Sequence, residues 1–299
     1  MTRSTILAHI LTVITERDTV LTALVASVAS LLFGGSDFFG GLASRRDSAL
    51  AVVADSHFIQ MFILTAAALL MPAIAVAPRD LAFGALTGIT GGLGVVALYA
   101  ALAAGRMGIV SPIAAALAGA IPAAFDLIRG TAVGPRSIGG LVLALVAVII
   151  VSFAPGEHEA HEMPLRAVVL AVIAGVGFGV GFISLSYAGA GSGLWPLVAA
   201  RVASAGILSV LLLTRERRLL VSPAARSVTV SAAVFEGIAN IAVLSAIRMG
   251  PLAVASVLGS MFPVVVLVLA RVVLHERLLW LQRVGVLMAL VAVVLTALP

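Results

Sequence analysis

Stretches of about twenty predominantly apolar residues follow one another along the whole chain, the length a helix needs to cross the hydrocarbon of a bilayer. Ten can be drawn, at 20–43, 49–71, 81–104, 109–129, 137–153, 166–188, 195–214, 227–247, 252–274 and 280–298. The connections are short and carry turn or charge signals, as in Ser44-Arg45-Arg46-Asp47 and Pro78-Arg79-Asp80. A membrane β-barrel would instead show alternating segments of about ten residues. Composition points the same way. The chain is 62% hydrophobic and 10% charged, where a soluble domain carries roughly 25% charged residues. The expected fold class is an all-α integral membrane protein with no room for a separate soluble domain. Cysteine is absent, which excludes a disulfide framework and a thiolate metal site. All 18 basic residues are Arg, and most stand singly near the ends of apolar runs. That is the pattern of helix-end anchors, not of a nucleic-acid surface.

Residues 1–19 are mixed in character, with Arg3, His9, Glu16, Arg17 and Asp18 around a short apolar stretch. A signal peptide cut near Ala26-Ser27-Val28-Ala29 is one reading. Because the apolar run continues through Phe33, a leader followed by an uncleaved first span is the preferred one.

The longest polar break, 154–165, divides the ten segments into a first set of five (20–153) and a second (166–299). The two sets align piece by piece. Gly35-Ser36-Asp37-Phe38 matches Gly179-Val180-Gly181-Phe182, and His57 matches Arg201 at the same offset. Arg106-Met107-Gly108 matches Arg248-Met249-Gly250, and Pro122 matches Pro263. Apolar helices resemble one another by chance, but the rarer Arg, Gly and Pro keep their order and nearly constant offsets. Duplication follows. An odd number of spans per copy makes the second enter from the opposite side. The expected architecture is therefore two inverted five-helix repeats, with a substrate site near the midplane between them.

Several of these residues resemble the EamA-type branch of the drug/metabolite transporter superfamily. They are Gly34-Gly35-Ser36, a membrane Arg at Arg201, the run Leu244 through Pro263, Leu274-His275-Glu276-Arg277 and Gly285. The resemblance covers 20–298 and is strongest over 236–298. It departs at His275, where the family has Gly, at His57, where Arg is common, and at Arg129-Gly130-Thr131. Similar bacterial proteins include exporters of amino acids, aromatic ones among them. The resemblance implies that fold, a bacterial inner-membrane location, and export of small metabolites. It favours both termini inside, although the Arg-rich odd-numbered loops would then face outward, against the positive-inside rule.

Candidate site residues follow from what is costly in lipid. Ionisable groups inside spans face the bundle interior or water by default. Glu236 lies mid-span with Asn240 four residues on, on the same face. Ser36 and Asp37 occupy the later part of the first span, His57 and Gln60 the early part of the second, and Arg201 the matching region of the seventh. Tyr99, Ser184 and Tyr187 are further cavity-lining candidates. The alternative for these groups is a structural pairing or snorkelling near the interface. Gly88, Gly92, Gly177 and Gly181 form small-residue faces, read either as static packing or as surfaces that slide. Pro122 and Pro263 are hinges or fixed bends. Without Lys there is no phosphate-binding loop of the P-loop type, so nucleotide hydrolysis is not expected.

The sequence thus predicts a secondary transporter, monomeric and without cofactor or metal. Its partners are a small-molecule substrate, the lipid bilayer and, if an ion is coupled, protons carried by Glu236, Asp37 or His57. His158-Glu159-Ala160-His161-Glu162 reads as a solvated loop, not a metal cluster. A passive channel is the rival class. An intramembrane hydrolase using Ser192 with His57 or His275 is the remote one.

Overall fold

The computed structural model describes residues 3–71, 73–104, 107–131, 134–153, 165–273 and 280–297. Arg106, most of the inter-repeat loop with its His-Glu cluster, and Leu274-His275-Glu276-Arg277 lie outside the described residues. The described residues form helices throughout: α1 (Arg3–Ser44), α2 (Ala49–Leu70), α3 (Pro78–Ala104), α4 (Met107–Ile128), α5 (Pro135–Phe153) and α6 (Leu165–Ser186). A single 3-10 turn (Ala190–Ser192) precedes α7 (Trp195–Glu216), α8 (Pro223–Met249), α9 (Leu252–Gly259), α10 (Phe262–Val273) and α11 (Trp280–Ala297). In lipid a helix satisfies its own backbone polar groups, which is why apolar runs of this length take that form. Seven described stretches are long and apolar enough to cross a membrane: Asp18–Ser44, Ala49–Leu70, Pro78–Leu102, Leu165–Ser186, Trp195–Glu216, Pro223–Met249 and, as α9 and α10 together, Leu252–Val273. Shorter apolar cores, Ile113–Ile128 and Ile138–Ile150, lie within α4 and α5. This is a multi-pass membrane protein.

Two elements differ from the expected boundaries. Residues 3–19, expected to precede the first span, are helical and run on into it as part of α1, and no Gly or Pro interrupts that stretch. The ninth segment is not one helix. Pro263 has no N–H to give and its ring collides with the carbonyl four residues back, so the chain turns at Ser260 and Met261 between α9 and α10. Its sequence mate Pro122 lies inside α4, which the break spares.

Caps mark the helix starts. The Ser48 hydroxyl accepts from the Ala51 amide at 3.1 Å. Pro196 and Pro223 stand at the first positions of α7 and α8, where a missing N–H costs nothing. Asp126 of α4 caps α9 from across the bundle, accepting from the Ala253 amide at 2.9 Å.

The most extensive packing is α1 on α8 and α3 on α6, followed by α5 on α11 and α3 on α7. Interior faces are small: Ala26, Ala29, Ala51, Ala144, Ala171 and Ala253 are all fully buried, which lets helices approach closely.

Each end of the bundle is tied by loops. At one end Asp47, between α1 and α2, pairs with Arg218, between α7 and α8, and accepts from the Ser222 amide at 2.6 Å. Arg46 donates to the Ala224 carbonyl at 3.1 Å. Burial works to raise the Asp47 carboxyl, but hydrogen bonds from Arg218 and from the Ser222 and Ser48 amides outweigh it and hold it well below the usual range. At the other end the Ile74 amide, between α2 and α3, donates to the Gly191 carbonyl at 2.8 Å. Asp80 accepts there from the Gly189 amide at 2.9 Å. Arg248 donates to the carbonyls of Gly193 and Gly189 at 2.7 and 3.1 Å, and to the Ser192 hydroxyl at 3.0 Å.

Candidate functional site

The interior holds one connected set of polar side chains where α2, α7 and α8 meet. His57 and Gln60 are three residues apart on α2, and Arg201 and Ser204 three apart on α7, so each pair shares a helical face. The faces meet crosswise. Arg201 Nε donates to Gln60 Oε1 at 2.8 Å, while His57 Nδ1 meets the Ser204 hydroxyl at 3.0 Å. Gln60 and Ser204 stand at the same offset of 144 as His57 and Arg201. Each of these residues therefore contacts the counterpart of its own helical neighbour, as in a two-fold interface. The approach of α7 to α3 depends on Gly88 and Gly92. A Cβ on Gly88 would run into the Ala200 carbonyl, and one on Gly92 would come within 2.9 Å of Ser204 Cβ.

Glu236 of α8 completes the set. Its Oε1 lies 3.1 Å from Arg201 Nη2 and 3.3 Å from His57 Nε2, and its Oε2 accepts from Gln60 Nε2 at 2.9 Å. Gln60 Nε2 also reaches the Ser56 hydroxyl at 3.0 Å. Glu236, Arg201, His57 and Gln60 are each at least nine-tenths buried. A buried charge is tolerated only when paired and hydrogen-bonded, and here the carboxylate has a guanidinium, an amide and an imidazole around it.

Beside this network lies a cavity of about 90 Å³, enough for a small solute or several waters. Asp37, Arg201, Glu236 and Asn240 are its charged and amide lining residues. Phe33, Phe178, Phe182 and Phe262 supply much of the apolar wall. Thr87 and Gly181 line it as well, and Thr87 donates to the Gly181 carbonyl at 3.1 Å. Asn240 donates its amide to the Glu236 backbone carbonyl at 2.8 Å. Asp37 makes no hydrogen bond or ion pair among the described residues.

The structure therefore brings together Asp37, His57, Gln60, Arg201, Glu236 and Asn240. Tyr99 is buried close by, its hydroxyl 3.5 Å from the Ser36 carbonyl, and the buried Ser36 hydroxyl finds no protein partner. Ser184 is buried but is not part of the cavity wall. Tyr187 is placed elsewhere. It follows the end of α6, is 43% exposed, and stacks on Phe83 with the Arg129 guanidinium 5.4 Å from its ring. Gly177 packs against α3, where a Cβ would meet the Thr90 carbonyl at 2.6 Å. Ser192, the nucleophile of the hydrolase reading, is committed to the Gly189 carbonyl at 2.6 Å and to Arg248. The phenylalanines and Thr87 were missed by sequence reasoning because apolar and hydroxyl residues are common in every span. The shared offset of Gln60 and Ser204 was the one signal that could have exposed the crossing.

Fold and site together define a polytopic helical membrane protein with a charged, solute-sized cavity between its helices. Residues 165–298, the second half of the chain, match the EamA-like transporter family. A solved structure, described only as a crystal structure of protein, is similar over 92% of this chain and 95% of that chain. It has a TM-score of 0.73 at 15% identity, a likeness of fold alone. No curated protein matches the chain.

Proposed function

We propose that the protein is a secondary transporter that moves small amphipathic metabolites, amino acids and aromatic ones among them, out of a bacterial cell by alternating access. The observation that carries this reading is the paired charge network at the crossing of α2 and α7, opening onto a cavity deep among the helices. Static packing has no need of charges there, and they are costly in lipid. An amino acid finds matching groups in Asp37 for its ammonium and in the phenylalanines for an apolar side chain.

Ten spans in two inverted five-helix repeats, 20–153 and 166–299, are the proposed frame. Its support is that the packing keeps its pattern when the halves are exchanged: α1 on α8 becomes α6 on α3, and α4 on α6 becomes α9 and α10 on α1. The end ties exchange too, since each joins the first loop of one half to the second loop of the other. The working unit is taken to be a monomer. Coupling to protons is assigned to Asp37, Glu236 or His57. We read the chain as a carrier of the inner membrane and not as an enzyme, because the family that its second half matches is one of transporters.

Uptake of labelled amino acids into proteoliposomes, with and without a pH gradient, tests this. Saturable flux accelerated by unlabelled solute on the far side is expected. Linear flux without such acceleration favours the passive channel.

A further inference from the structure

Every charge at the cavity can be assigned a partner except one. Glu236 is saturated by Arg201, Gln60 and His57, and Arg201 is held through two of its nitrogens. Asp37, partly exposed to the same cavity, has no hydrogen bond or ion pair among the described residues. Two carboxylates face one guanidinium, so the wall carries an excess negative charge whenever Asp37 is ionised. Asn240 adds to it. One N–H of its amide is used on the Glu236 carbonyl, and its side-chain oxygen is an acceptor. Phe33, Phe178, Phe182 and Phe262 share the remaining wall with aliphatic residues, and aromatic faces attract cations as well as apolar groups. An unpaired acceptor set beside aromatic rings, in a medium that penalises lone charge, suits a donor with positive charge and an apolar body.

We infer that the cavity recognises its solute by a protonated amine, with Asp37 as the counter-ion and the phenylalanines around an aromatic or branched apolar body. A carboxylate on the solute is then secondary, because the only guanidinium at the cavity among the described residues is already neutralised by Glu236. The inference rests on the transport reading only in taking this cavity as the solute site. It separates the two halves of an aromatic amino acid: the amine is selected and the acid is not.

The test is binding to purified full-length protein in detergent, followed by titration calorimetry, with phenethylamine and phenylpropionate as probes at neutral pH. Phenethylamine is expected to bind at least ten-fold more tightly than phenylpropionate. Asp37→Asn is expected to remove that preference, and Asp37→Glu to retain it. The thermal midpoint of each unliganded variant confirms that it is folded. Equal or tighter binding of phenylpropionate, binding of neither probe, or an unchanged preference in a folded Asp37→Asn protein overturns the inference. Amine binding without flux in vesicles sinks the transport reading and leaves amine recognition standing. Saturable flux together with a preference for phenylpropionate does the reverse.

Discussion

Glu236 and Arg201 hold each other in place, and neither is tolerable alone. Removing one member of a buried ion pair typically costs about 3–5 kcal/mol, because the survivor keeps its desolvation penalty without its partner. Glu236→Gln leaves the Arg201 guanidinium facing a neutral amide. A marked drop in thermal midpoint and at least a ten-fold loss of transport are expected. A double change of Glu236 and Arg201 to Gln and Met should recover much of the stability but not the transport. Melting in detergent and vesicle flux, measured on the same preparations, check both. Full activity in the single variant would mean the pair is neither structural nor functional. Glu236, Asn240, Arg201 and His57 were legible in the sequence because an ionisable or amide group inside an apolar run stands out. Tyr187 stands out equally, being rare, yet it packs on Phe83 beyond the end of α6. Rarity marks a candidate without saying which way its side chain turns.

Helix contacts at the element scale depend on a few small residues and on the loops at each end. On α3, Gly88 lies against the Ala200 backbone, so an added methyl has nowhere to go. Gly88→Ala should destabilise by about 1–3 kcal/mol, the usual cost of overpacking. Gly206 of α7 has open space around it, so Gly206→Ala should be neutral or stabilising by up to about 1 kcal/mol through helix propensity. Thermal denaturation of the two variants side by side reads the contrast, and equal effects would contradict the packing argument. The Asp47–Arg218 tie carries a pH signature. The Asp47 carboxyl is held below its ordinary range when folded, so its contribution is present at neutral pH. That contribution fades as pH falls below the unfolded carboxylate value toward the folded one. Asp47→Asn should therefore lower the thermal midpoint at neutral pH, and the gap to the parent protein should narrow in acid. A gap that widens in acid would give the tie the wrong sign. The ends of the helices were largely readable from Pro, Ser and Asp. The break between α9 and α10 was not, because Pro122 and Pro263 look alike in sequence and only one interrupts its helix.

For the whole molecule, the fold class was open to reading from length and hydropathy alone, since lipid leaves the backbone few choices. The cavity wall was harder to find. It draws on α1, α3, α4, α6, α7, α8, α9 and α10, and no periodicity in one segment reports which of its apolar residues faces a void and which faces lipid. The absence of cysteine offers a direct view of the frame. Ile74 and Leu219 are both exposed, in loops at opposite ends of the bundle. In sealed vesicles an impermeant thiol reagent should label only one of Ile74→Cys and Leu219→Cys from outside. Labelling of both from one side would contradict the alternating arrangement of helices. It would also show which end, the Arg-rich one or the other, faces the cytoplasm.

The central claim is that solute crosses by way of the cavity beside Glu236 and Asp37. Counterflow measures it most directly, in vesicles loaded with unlabelled amino acid and given a trace of labelled amino acid outside. The account predicts transient accumulation of label above equilibrium, saturating with concentration and abolished by Asp37→Asn. Label that merely equilibrates, at a rate the substitution leaves unchanged, would contradict it.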